Sequence, residues 1–139
     1  MAVRAFRMED QTEVIALWRA AGLVRPQNDP FKDIARKIRV NPEWFLVAEE
    51  KGRIVGTVMA GYEGHRGWIN YLAVEPSRRR CGLGRLLLAE AERLLRAAGC
   101  PKINLQVRTG NAAAMEFYRR IGFVPDDAVS FGKRLALDG

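Results

Sequence analysis

The sequence predicts an α/β fold, one mixed β-sheet with helices on both faces, in the order βαα-βββ-α-β-α-β. Three observations predict it. β-rich runs separated by turn residues fill the middle of the chain, and apolar residues at helical spacing flank them. A strand–helix–strand segment, residues 67–107, then reads as a right-handed parallel crossover. The 139 residues are 48% apolar and 28% charged, hold no repeat or linker, and suit a single domain, 1–139. A domain of this length buries roughly 68–70% of the surface its unfolded chain would expose, so it needs no disulfide or metal staple.

The elements follow in order. "VRAF" (Val3 to Phe6) alternates like a short strand. Asp10 is placed to N-cap a helix carrying Val14, Leu17, Trp18 and Ala21. Asp29-Pro30 reads as the N-cap and first residue of a second helix, with Phe31, Ile34 and Ile38 on one face, and Asn41-Pro42 stops it. "WFLVAEE" (44–50), a Lys51-Gly52 turn and "RIVGTVMAGYE" (53–63) make a hairpin. A turn at Gly64, His65 and Arg66 leads into "GWINYLAV" (67–74). A helix from about Gly82 to Ala98 carries Leu87, Ala91, Leu94, Leu95 and Ala98 as one stripe, with Gly99 as its C′ residue. "KINLQV" (102–107) is a strand, Asn111 caps a helix running through Ile121 to Gly122, and Ser130 to Leu135 is expected as a last strand.

Composition narrows the function. "MAVRAFRMEDQ" lacks the apolar core of a secretion signal, and no run approaches the ~20 apolar residues of a membrane span. A soluble cytoplasmic protein with no membrane partner is expected. Cys81 and Cys100 have no CxxC spacing, and with His65 as the single histidine they form no recognisable metal site. The net charge is +7, with arginines far outnumbering lysines. Such a surface suits a polyanion, either nucleic acid or a phosphorylated cofactor.

The distribution of that charge is informative. In "SRRRCGLGRLLLAE" (77–90), Arg78, Arg79, Arg80 and Arg85 bracket two glycines at a strand-to-helix junction. Glycine permits positive φ and close approach to bare backbone. The first amides of a helix lack internal partners, and its dipole favours an anion there. The stretch therefore reads as a pyrophosphate cradle, with Arg79, Arg80 and Arg85 as counter-charge. The Gly-Lys-Ser/Thr of a Walker loop is absent. Only two of the three glycines of a dinucleotide fingerprint are present, Glu75 to Arg78 separate them from the strand, and Arg108 stands where an acidic residue is wanted. The β-carbon of Arg80 is expected to keep that position out of positive φ, and Cys81 is expected as a small buried filler.

Arg79-Arg80-Cys81-Gly82-Leu83-Gly84 resembles the Q/R-x-x-G-x-G/A motif of the GNAT N-acetyltransferases. "LAVEP" before it and "N……FYRRIGF" after it resemble that family's fourth strand and its Asn- and Tyr-bearing helix, and the element order is similar over nearly the whole chain. Asp29-Pro30, "GHRG" (64–67), "CPKI" (100–103) and "GKRL" (132–135) further resemble the bacterial YpeA-like branch. The resemblance implies an acyl-CoA N-acyltransferase fold with the sheet splayed between strands 4 and 5. It also implies acetyl-CoA as donor, a small-molecule or peptide primary amine as acceptor, and a homodimer.

Carried over by position, the backbone of Leu72, Ala73 and Val74 would pair with the pantetheine arm like an added strand. Arg79, Arg80, Cys81, Gly82, Leu83, Gly84 and Arg85 would wrap the pyrophosphate. Asn111 would contact the cofactor's arm, and Tyr118 would face the sulfur as general acid. The backbone N–H of Leu72 or Val74 would polarise the thioester carbonyl. Many relatives carry a carboxylate base in strand four, where this chain has Trp68, Ile69, Asn70 and Tyr71. Glu63 is the candidate base, or Asn70 through a held water. Arg25 and Asn28 border the expected acceptor pocket. Two other readings remain open at this point: a basic nucleic-acid-binding domain, though no helix-turn-helix pair or aromatic platform is found, and a non-catalytic acyl-CoA sensor.

Overall fold

A computed structural model describes residues 1–138 and divides them into two compact units, one of residues 1–105 with Asp138 and one of residues 106–137. The larger unit holds a five-stranded sheet of order β1-β2-β3-β4-β5. Its strands are β1 (Ala2–Ala5), β2 (Phe45–Glu50), β3 (Arg53–Tyr62), β4 (Gly67–Val74) and β5 (Ile103–Leu105). The first four pair antiparallel in chain order, and β4 pairs β5 parallel, as the crossover requires. The Lys51-Gly52 turn is a two-residue loop with both residues left-handed, φ 51° and 75°, the geometry that matches strand twist.

Helices cover both faces of this sheet. On one, α1 (Gln11–Ala20) and α2 (Pro30–Lys37) bury Val14, Leu17, Trp18 and Ile34 in one cluster with Phe45, Val47, Met59 and Ala73. On the other, α3 (Leu83–Ala97) lays Leu87 against Gly56 of β3 and Leu95 against Gly67 of β4. A side chain at Gly56 would stand 2.8 Å from Leu87 Cδ1, so α3 packs this close only over bare backbone. The buried stripe of α3 is Leu83, Leu87, Leu88, Ala91 and Leu95; Leu94 is half-buried and Ala98 exposed, one row away from the expected stripe. Gly99 ends α3 at φ 86°, with its amide on Arg96 and that of Cys100 on Leu95, a Schellman closure.

Asp29 caps α2 as expected, its carboxylate accepting the amide of Phe31 at 2.9 Å. On that helix Ile34 is buried, but Phe31 and Ile38 are exposed. Asp10 precedes α1 yet does not cap that helix with its side chain, because its carboxylate is committed to Arg4 and, as a capping box, to the Arg7 amide. A 3₁₀ turn, Met8–Asp10, begins the helix instead.

The smaller unit contains α4 (Ala112–Arg120), capped by Asn111, whose Oδ1 accepts the Ala114 amide at 3.1 Å. Gly122 ends it at φ 100°, with the amide of Phe123 on the Tyr118 carbonyl. The expected last strand is not formed: residues 130–135 are irregular, with Phe131 and Leu135 exposed. A strand needs a neighbour's donors and acceptors, and α4 is the only regular element in this unit among the described residues.

Candidate active site

Two breaks in the regularity of β4 shape the site. Toward β5, pairing covers only Gly67, Trp68 and Ile69, which leaves Asn70 to Val74 without a ladder on that side among the described residues. This is the splay between strands 4 and 5. Toward β3, Thr57 pairs Ala73 while Met59 pairs Asn70, so Tyr71 and Leu72 together face Val58 in a β-bulge. Tyr71 takes φ +50° there, a left-handed conformation that costs a non-glycine residue roughly 1–2 kcal/mol.

Several contacts hold Tyr71 in that conformation. Its carbonyl accepts the Thr57 hydroxyl at 2.9 Å, and its ring stacks on Trp18 with centroids 3.9 Å apart. Its phenol donates to Asp33 Oδ2 at 2.5 Å. Burial first, then the Asp33 carboxylate, drives the phenol well above its ordinary range, so it remains a donor. The sequence reading missed this cluster. Its signal was one threonine inside the apolar run "IVGTVMA".

Beyond β4, the Glu75 amide donates to the Val55 carbonyl at 2.9 Å. The Glu75 carboxylate then caps a 3₁₀ turn, Pro76–Arg78, by accepting the Ser77 amide at 3.1 Å. The Arg78 guanidinium donates to Glu50 at the end of β2. Arg79 is extended, Arg80 is left-handed at φ +67°, and Gly82 is left-handed at φ +83° as the N-cap of α3. The positive φ at Arg80 corrects the expectation that a β-carbon would forbid it; the chain accepts strain there to curl back onto the helix start. Cys81 is exposed rather than buried, because its thiol lies on the outside of this curl, donating to the Arg78 carbonyl.

The start of α3 is electrostatically incomplete. No side chain caps it, so its leading amides lack acceptors. Arg79, Arg80 and Arg85 are exposed beside it, and none forms an ion pair with another described residue. Cations at the positive end of a helix dipole raise its energy, and an anion bound among them lowers it.

The structure places the other predicted residues as follows. Ala73 and Leu83 are buried, and Leu72, Val74 and Gly84 are half-buried. Asn70 is exposed on β4. The Glu63 carboxylate closes its own turn, accepting the amides of His65 at 3.0 Å and of Arg66. Among the described residues the buried Nε of Arg25 has no hydrogen-bond partner, and the Asn28 amide donates to the Arg25 carbonyl at 3.0 Å. In the smaller unit the Tyr118 ring meets Phe117 and Phe123 edge-on, and burial pushes its phenol above the ordinary value.

The β4 edge left unpaired from Asn70 to Val74 thus leads, through an arginine-rich loop, to the uncapped start of α3 in an α/β fold. The model of the Acetyltransferase (GNAT) family matches residues 8–123. An acetyltransferase from Yersinia pestis is 46% identical over 138 residues, 99% of this chain and 98% of its own. Chaetomium thermophilum Naa20, solved with a bisubstrate analogue, superposes with TM-score 0.72 at 29% identity, over 88% of this chain and 70% of that one. AAC(6')-Iy, solved with the bisubstrate analogue CoA-S-monomethyl-acetylneamine, has the same fold at TM-score 0.78 and 16% identity, over 97% of this chain and 98% of that one. The chain belongs to the GNAT acetyltransferase family.

Proposed function

We propose that this protein transfers the acetyl group of acetyl-CoA to a primary amine by direct attack of the amine on the thioester. The observation that carries the reading is the start of α3, where uncapped amides stand with the exposed guanidinium groups of Arg79, Arg80 and Arg85, none of them in an ion pair with another described residue. A pyrophosphate satisfies both. When bound, acetyl-CoA supplies an activated carbonyl and a thiolate leaving group.

The chain's own residues do the rest. The unladdered stretch Leu72 to Val74 offers backbone donors and acceptors to the extended pantetheine amides. An amide of the bulge, that of Leu72, polarises the carbonyl as negative charge develops on its oxygen. Tyr118 donates a hydrogen bond to the departing sulfur, and Asn111 contacts the cofactor's arm. Because burial raises the Tyr118 phenol further above the ~8.5 of a thiol, its role is to stabilise the thiolate rather than to surrender its proton. Deprotonation of the amine is assigned to a water on Asn70, since Glu63 is engaged by its own turn. Without a strong base, low-pKa acceptors are favoured: at pH 7 about 1 in 7 α-amines is neutral but only ~1 in 2,500 lysine amines. Arg25 and Asn28 border the acceptor.

Calorimetry with acetyl-CoA against duplex DNA, followed by CoA release across polyamines, amino acids, aminoglycosides and peptide N-termini, tests the reading. Saturable acetyl-CoA binding with amine-dependent CoA release supports it. Binding of DNA alone would replace it with the nucleic-acid reading, and acetyl-CoA binding without transfer to any amine with the sensor reading.

A further inference from the structure

Thr57 is fully buried in the middle of β3, among side chains that are otherwise apolar. Valine would fill the same volume, so the hydroxyl must repay its loss of water through its own hydrogen bonds. It makes two, both at 2.9 Å, to Trp18 Nε1 and to the Tyr71 carbonyl. Their direction is fixed. An indole N–H can only donate, so the hydroxyl accepts from Trp18 and its one proton goes to Tyr71. Trp18 is itself fully buried on α1, and its ring stacks on that of Tyr71. The same tryptophan thus sets the hydroxyl that holds the carbonyl of the residue on which it rests.

Opposite Thr57 the ladder changes step. Thr57 pairs Ala73, and two positions further along β3 Met59 pairs Asn70, so the extra residue of β4 is absorbed at Tyr71 and Leu72. Removing the hydroxyl would free the Tyr71 carbonyl and allow the left-handed backbone to relax.

We propose that Thr57 is a positioning residue for acetyl transfer: its hydroxyl, oriented by Trp18, pins the Tyr71 carbonyl and fixes the bulge that turns the Leu72 amide out of the β3 ladder toward the thioester carbonyl. This rests on the assignment of the end of β4 to acetyl-CoA. Thr57 touches neither substrate and acts through the strand beside it.

Thr57→Val keeps the volume and removes both bonds, and Thr57→Ser restores them. Trp18→Phe keeps a stacked ring and removes the donor. For Thr57→Val, kcat should fall about tenfold or more while CoA affinity stays within about twofold, and Thr57→Ser should recover most of the loss. Trp18→Phe, which tests the same device should the valine variant fold poorly, should fall between them. Amide hydrogen exchange at Ala73, which pairs Thr57 beside the bulge, should quicken about tenfold in Thr57→Val with α3 unchanged. Turnover of Thr57→Val within twofold of wild type, a matching loss of CoA affinity, failure of serine to rescue, or unaltered exchange at Ala73 overturns the proposal. If wild-type protein transfers acetyl to no amine, the functional reading fails on its own terms, and the exchange measurement still decides whether Thr57 holds the bulge.

Discussion

Arg4 of β1 donates to both carboxylate oxygens of Asp10, at 2.8 and 3.0 Å, and so ties the edge strand to the start of α1. Its Nε reaches Glu49 of β2 at 2.7 Å, which makes the guanidinium a bracket between strand, strand and helix. Asp10 is only 7% exposed. The hydrogen bond from Arg4 holds its carboxyl below the usual range against the opposing effect of burial. A depressed folded pKa means the contribution to stability is complete above the unfolded value of about 4 and disappears as pH falls through the folded one. Asp10→Asn should cost about 2 kcal/mol near pH 7 and flatten the acid limb below pH ~4. Thermal melts between pH 2 and pH 7 check both; parallel curves for the two proteins would contradict the assignment.

Gly56→Ala should be destabilising. Its β-carbon would meet Leu87 Cδ1 at 2.8 Å and the Ala73 carbonyl oxygen at 3.2 Å. Overpacking of this kind costs about 1–3 kcal/mol. Adding Leu87→Val should recover part of the loss, because it withdraws the nearer atom and leaves the backbone contact. A double-mutant cycle by chemical denaturation measures that coupling.

Glu50→Gln offers a test in which two effects have opposite signs. Neutralising a carboxylate near a phosphate site should by itself tighten anion binding. The Glu50 carboxylate also anchors Arg78 at the base of the loop that carries Arg79 and Arg80. We expect the anchoring to dominate, with the KM for acetyl-CoA rising about threefold and kcat nearly constant. A tighter KM would show that the long-range charge wins.

Tyr118→Phe should lower kcat by tenfold or more while CoA affinity stays within about twofold, since the substitution keeps the ring that meets Phe117 and Phe123. Burial raises this phenol's pKa above its ordinary value, so any basic limb it contributes shifts to higher pH. Equal turnover of the two proteins would remove Tyr118 from the mechanism.

Much of the larger unit was legible because its signals are local. β-rich runs between turns marked β3 and β4, Asp29-Pro30 marked α2, and Lys51-Gly52 marked the hairpin turn. The uncapped start of α3 could be read from two glycines and the charges beside them. What escaped was set by long-range partners. Asp10 had the chemistry of a cap, but Arg4 reached it first. Arg80 had a β-carbon, yet the loop's curl imposed a left-handed backbone. The bulge at Tyr71 depends on a threonine and a tryptophan far away in sequence, and no window of neighbouring residues contains all three. The last strand expected over residues 130–135 requires a neighbour to pair with, and no ladder forms there.

The order of strands across the sheet repeats their order along the chain. Folding can therefore proceed as a zipper. The β2–β3 hairpin closes over two residues, an event on the order of microseconds. β4 then adds to its free edge across a short turn, while β1 must close a loop containing both of the first two helices. The parallel join of β4 to β5 likewise spans a whole helix, α3, so both edge strands carry a longer loop closure than the central hairpin.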